Sequence, residues 1–186
     1  RGTYQMGARN VELDPQFWTW SLPERRAWFV RRVMVDELPK EILPGDLICG
    51  GRFNIQTSLC LNRSEAREYD RLVVGPGGAR EKMKRFHDHG YGNAGATSGH
   101  LIPGYEKVLK IGWRGVFDEL QSFLDALSDA EREGPRGAQL RAMMTAATMP
   151  RDLAAKYAAR CRALAGDEGD QGRRDELLSM AANMDR

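Results

Sequence analysis

Little in this sequence announces a function, and what is scarce narrows the field. No apolar run approaches the roughly 20 residues that a membrane-crossing helix requires. Neither charge dominates: 28 Lys and Arg face 26 Asp and Glu, a formal net charge of +2, so electrostatics give no case for nucleic acid or an anionic membrane as partner. Cysteine is rare. Cys49, Cys60 and Cys161 are an odd number at wide, irregular spacings, which suits neither a disulfide framework nor a zinc site and points to a reducing cytoplasm. Of the three histidines, two stand in Phe86-His87-Asp88-His89. On a helix they would project roughly 200° apart and could not clamp one ion, so no metal is expected. The chain opens on Arg1 with no charged-then-apolar leader, and no Gly or Pro stops the helical pattern before Arg186. Both ends are expected to be cuts through a longer polypeptide.

Helix punctuation, by contrast, is abundant. Ser21-Leu22-Pro23-Glu24 is a capping box with proline in the first turn, and it predicts a helix carrying Trp28, Phe29, Arg32, Val33 and Asp36 until Pro39. Asp46 to Gly51, DLICGG, reads as a short buried strand or extended segment, and Arg52 to Leu61 as an irregular connection. Ser64 is expected to cap a second helix through Tyr69. Gly75-Pro76-Gly77-Gly78 breaks the chain, and a third helix follows, with Met83, Phe86 and His87 on one side and Gly90 at its end.

Beyond Pro103, Tyr105, Val108, Leu109, Val116, Leu120, Phe123, Leu124 and Leu127 keep a helical period that Gly112 and Gly115 should weaken and bend. A long helix from Pro135 carries Leu140, Met143, Met144 and Ala147, and Pro150 should either kink it or start a new helix with Leu153, Tyr157, Cys161 and Leu164. Arg173 to Met184 forms the last helix. Mostly helical content with one or two extended pieces is lopsided for a complete α/β domain. It suits helices packed outside a barrel whose strands lie downstream.

Among chemistry-bearing groups, Cys49 lies in an apolar segment and should be buried and inert, whereas Cys60, near Gln56, Thr57 and Ser58, should be the more accessible thiol. Cys161 falls on an apolar helical stripe and belongs to the core, and the four tryptophans read as packing residues. Gly75 to Arg80 lacks the Lys-Ser/Thr of a phosphate loop and reads as a turn. The strongest feature is Gly90 to Gly99, with four glycines in ten residues, running into His100. Glycines allow close backbone approach, Thr97, Ser98 and His100 supply donors and acceptors, and the following helix aims its positive end nearby. Such a loop can hold a carboxylate or polarise a hydroxyl, or it can be structural, with His100 capping a neighbour.

The stretch GATSGHLIPGYEKVL, from Gly95 to Leu109, resembles the glycyl radical enzymes, also called the pyruvate formate-lyase family, in their motif G-H-x-x-P-x-Y-x-x-V-L. It is followed by the glycine-interrupted Ile111-Gly112-Trp113-Arg114-Gly115-Val116. Leu43 to Gly50 resembles the family's extended segment upstream, and the helix ending in Ala181-Ala182-Asn183 resembles the one that leads into a Val-Pro-rich link. The similarity runs from about Asp14 to the end.

The resemblance implies an α/β fold of which residues 1–186 are the mostly helical N-terminal portion of a ten-stranded β/α barrel, with the barrel and the glycyl radical domain outside this chain. It implies a glycyl radical cofactor on a residue elsewhere, a radical S-adenosylmethionine activating enzyme as partner, and a cytoplasmic homodimer with or without small accessory subunits. Neither the family's finger-loop cysteine motif nor its Arg-Val-x-Gly-Tyr motif is present, so no catalytic residue is assigned here and the segment alone is expected to be inactive. At the family position, His100 would point toward substrate, with Thr97 and Ser98 beside it.

GNAGATSGHLIPGYEKV with RAMMTAATMPRDLA is most similar to the alkyl- and arylalkylsuccinate synthases, which add a hydrocarbon C–H to fumarate. Arylacetate decarboxylases and hydroxyl-eliminating dehydratases are the alternatives. The short connection from Gly51 to Ser64 departs from the benzylsuccinate type, against an aromatic hydrocarbon. A non-catalytic helical binding module is the reading from another class.

Overall fold

A computed structural model describes residues 3–6, 11–50, 52–55, 60–91 and 104–185. Two strands and seven α-helices occur in the described residues: β1 (Thr3–Met6), α1 (Leu22–Arg31), β2 (Arg52–Ile55), α2 (Arg63–Tyr69), α3 (Ala79–Asp88), α4 (Tyr105–Asp125), α5 (Asp129–Glu133), α6 (Pro135–Asp167) and α7 (Gln171–Met184). The chain divides into two compact units, Arg1–Cys60 with Lys107–Arg186, and Leu61–Glu106. The mostly helical content matches the sequence expectation. Among the described residues no helix is long and apolar enough to cross a membrane.

In the larger unit, α1 starts where its capping box lies: the Glu24 carboxylate accepts from the Ser21 backbone N at 3.2 Å and from its Oγ at 2.7 Å. The helix runs on into a π-helical stretch, Arg32–Glu37, and stops before Pro39. Its inner face buries Phe29 and Val33 against Val11, Phe17, Leu38 and Cys60. Phe17 sits among Trp18, Trp20 and Trp28, ring centroids 4.9, 6.0 and 5.4 Å away; Trp20 and Trp28 pack on the core as expected, whereas Trp18 is 40% exposed.

The 33-residue α6 is the spine of this unit, about 50 Å long at 1.5 Å per residue. It packs against α1 and α7, with α5 folded against its start. Buried Ala138, Ala142, Ala147, Ala158 and Ala165 let neighbours approach closely. Pro150 lies inside this helix without ending it. Thr145 Oγ1 bonds back to the Arg141 carbonyl at 3.1 Å and Thr148 Oγ1 to that of Thr145 at 2.8 Å, and packing on both sides outweighs the one backbone hydrogen bond that proline removes.

Gly112, at φ 66 and ψ 174, breaks α4 as expected. Lys107 and Glu119 form an ion pair across the break; on a straight helix, 12 residues would hold them about 18 Å apart. After the bend, Leu120 is buried, with Leu127 just beyond the helix also buried, while Leu109 and Phe123 stay exposed. Only part of the expected apolar stripe is therefore packed.

Three expectations are corrected. Of the segment read as a short buried strand or an extended piece, Asp46 to Gly50 is irregular rather than strand, with Leu47 and Ile48 63% and 78% exposed, and the strand lies one step later, at Arg52–Ile55, pairing parallel with Thr3–Met6. A turn explains the displacement. Asp46 Oδ2 accepts from Leu43 N at 2.9 Å, Asp46 N donates to the Leu43 carbonyl at 3.0 Å, and Gly45 takes φ 77. Arg173 then holds the Asp46 carbonyl at 2.8 Å, so the segment is bound to α7.

The second correction concerns the smaller unit, where α2 is capped by Asn62 rather than Ser64. Asn62 Oδ1 accepts from the N–H groups of Ser64 and Glu65, both at 3.0 Å, and Glu65 returns a bond to Asn62 N at 2.8 Å. The third is the stretch from Arg52 to Leu61, which contains β2 instead of being wholly irregular. The smaller unit buries none of the side chains of α2 or α3. After the Gly75 to Gly78 turn, Gly90 at φ 73 closes α3 as anticipated.

Candidate functional site

The expected substrate contacts Thr97, Ser98 and His100, with the glycine-rich loop around them and Pro103, lie outside the described residues. On the near side of that loop, His89 Nδ1 is 2.6 Å from the Arg85 carbonyl, and the His89 ring stacks on Tyr91 with centroids 5.9 Å apart. His89 thus closes its own helix. Among the described residues no group of three or more His, Cys, Asp or Glu could hold a metal ion.

In the larger unit an open groove of about 560 Å³ lies between α4 after its bend, α6 around Pro150, and the π-helical stretch. Met34, Trp113, Leu120, Met143, Met149 and Leu153 line it, and Trp113 and Met143 are 43% and 44% exposed. Among the described residues no ionisable side chain reaches the lining. The groove can exclude water and accept apolar surface; it has no acid, base or nucleophile of its own.

Two carboxylates between α1 and α6 are structural. Asp152 on α6 accepts from Arg31 Nη2 at 2.5 Å and from Arg151 Nε at 2.8 Å. Burial alone would raise its pKa, and these bonds outweigh burial to hold it below the ordinary carboxylate value. Glu24 behaves alike: burial pushes it up, while Ser21 and Arg141, the latter 2.8 Å away, bring it down. Both pairs clamp α1 to α6.

The cysteines exchange the roles expected of them. Cys60 is fully buried, with Sγ 3.8 Å from the Arg25 carbonyl and its own carbonyl receiving Arg25 Nη1 at 2.7 Å. Burial pushes its thiol up to about 11. Cys49 is only half-buried, and its sulfur lies 3.6 Å from that of Cys161, itself fully buried as expected. Polar neighbours in sequence misled for Cys60 because α1, far off in sequence, covers it.

A family model described as pyruvate formate lyase-like matches residues 79–186, more than half of the chain. The chain belongs to the pyruvate formate lyase-like family. Solved structures agree on the fold. A glycerol-bound B12-independent glycerol dehydratase from Clostridium butyricum is 19% identical, with a TM-score of 0.63 over 91% of this chain and 27% of its own. A Roseburia inulinivorans structure concerned with 1,2-propanediol dehydration is 18% identical, with a TM-score of 0.65 over 89% of this chain and 24% of that one. A glycyl radical enzyme from Archaeoglobus fulgidus is 18% identical, with a TM-score of 0.62 over 92% and 28%. At these identities the likeness is one of fold. This pyruvate formate lyase-like chain spans about a quarter of the length of the structures it matches. No curated protein sequence matches it.

Proposed function

We propose that the chain is the N-terminal helical portion of a glycyl radical enzyme, whose ten-stranded barrel and radical-bearing residues lie in the remainder of the polypeptide. One observation carries this reading: a fold shared over nine-tenths of this chain accounts for only a quarter of each relative. The apolar groove at Trp113 and Met143 supports it, because a helical portion that packs on a larger body needs such a face. The remainder of the polypeptide is its occupant.

The residues present do not fit the radical itself. Of the three cysteines, Cys60 and Cys161 are fully buried and Cys49 lies against Cys161, and the Arg-Val-x-Gly-Tyr motif is absent. No chemical step runs through them, and the segment alone is inactive. Its contribution is to bind and enclose: His100, with Thr97 and Ser98, holds a substrate carboxylate or hydroxyl, and the helices shield the interior from solvent. The activating partner is a radical S-adenosylmethionine enzyme, and the whole protein is a homodimer.

For the reaction, hydrocarbon addition to fumarate rests on the motifs around His100 and Met143-Met144. Hydroxyl elimination is favoured by a different observation, that two of the structures sharing the fold concern glycerol or 1,2-propanediol dehydration. Anaerobic activation of the full-length protein should give a glycyl EPR doublet; a silent spectrum beside a positive control overturns the assignment. Offered glycerol, 1,2-propanediol, or an alkane with fumarate, the activated protein should turn over one class only, and His100→Ala should cut turnover at least tenfold with the EPR signal intact. Unchanged kinetics remove His100 from the site.

A further inference from the structure

Cys49 and Cys161 are 112 residues apart in sequence, yet their sulfurs meet at 3.6 Å, the separation of two thiols in van der Waals contact. A disulfide needs about 2.05 Å, so closure requires an approach of roughly 1.5 Å. The two sides differ in secondary structure. Cys161 lies within α6, whereas Cys49 lies in the irregular segment between Gly45 at φ 77 and Gly50 at φ 134. They also differ in access: Cys49 is half-buried and Cys161 fully buried. Cys49, the more exposed residue, is the one placed to meet a reagent first.

We propose that Cys49 and Cys161 form a thiol–disulfide exchange site that takes a small-molecule disulfide and closes an intramolecular bond between the Ile42–Gly50 segment and α6. The Cys49 thiolate attacks one sulfur of the reagent, whose S–S bond breaks, releasing one thiolate and leaving a mixed disulfide on Cys49. Cys161, deprotonated, attacks the Cys49 sulfur, and the second half of the reagent leaves as thiolate. The protein loses two protons and two electrons; the reagent gains them as two thiols. Closure ties to α6 a segment that Arg173 already ties to α7 through the Asp46 carbonyl at 2.8 Å. Cys60, fully buried beneath α1, serves as an internal control.

The test uses the full-length protein, incubated natively with glutathione disulfide, quenched with iodoacetamide under denaturing conditions and digested with trypsin without reductant. The expected product is the tryptic peptide spanning residues 41–52 linked to the dipeptide Cys161-Arg162, lighter by two hydrogens than the sum and separated by dithiothreitol. Cys60 should be recovered alkylated. In Cys49→Ser the link should vanish, with Cys161 left as a free thiol. Recovery of both cysteines as alkylated thiols, glutathione that stays on Cys49 without transfer, or a bond from either cysteine to a different one overturns the proposal. The wild-type digest decides it even where the variant does not fold.

Discussion

Cys60 has no solvent exposure, its sulfur lies against the Arg25 carbonyl, and burial raises its thiol to about 11. At pH 7 that leaves roughly one molecule in ten thousand as thiolate, the reactive form. Iodoacetamide should therefore leave Cys60 unmodified in the native full-length protein and alkylate it once urea is present; rapid native labelling would contradict its burial. Gly137 is a second residue whose surroundings decide its identity. A Cβ built there would stand 1.9 Å from the Arg132 carbonyl oxygen, a backbone atom that cannot swing aside. Gly137→Ala must push α5 off the start of α6, and overpacking of this kind costs about 1–3 kcal/mol. Thermal unfolding should show a lower midpoint for this variant, whereas Gly166→Ala, with nothing within 4 Å of the added carbon, should not.

At the scale of elements, α1 and α6 are joined by Arg31 with Asp152 and by Glu24 with Arg141, and both carboxylates are held below their ordinary pKa against the effect of burial. A depressed carboxylate contributes stability that is fully present above its unfolded value near ~4 and is lost as pH falls through the folded value. The unfolding midpoint should thus be insensitive to these groups at pH 6–8 and fall below about pH 4. In Asp152→Asn the acid-dependent loss should shrink, with a baseline penalty of about 1 kcal/mol, the upper end for a pair still in part solvated. Gly112, at φ 66 and ψ 174, occupies a region open almost only to glycine, so Gly112→Ala should cost about 1–3 kcal/mol and weaken the Lys107–Glu119 pair across the bend. These elements also show what a sequence discloses. The Ser21 box, the Gly112 break and the Gly90 stop act within a few residues and were legible. The strand at Arg52–Ile55 depends on pairing with Thr3–Met6, and α6 survives Pro150 because distant helices pack on it; neither cause is local.

For the whole molecule, the loop motif around His100 pointed to the family that the match over residues 79–186 supports, while the groove was invisible in sequence because Met34, Trp113 and Leu153 meet only after three elements fold. That groove gives the packing of the larger protein a direct test. Trp113 and Met143 stand more than two-fifths exposed, although completing the burial of such side chains contributes about 1.5–3 kcal/mol each. If the remaining polypeptide covers the groove, a carboxylate at position 143 must be desolvated without a partner, since among the described residues no ionisable group lines the site. Met143→Glu should then lower the stability of the full-length protein by several kcal/mol, seen as a fall in the thermal midpoint. Met143→Leu keeps volume and polarity and should cost less than about 1.5 kcal/mol. Were the groove open to water in the full-length protein, the glutamate would be solvated and shift stability by no more than about 0.5 kcal/mol. The difference between the two variants, measured on the same full-length background, therefore reports whether this apolar face is an interior surface of the whole protein.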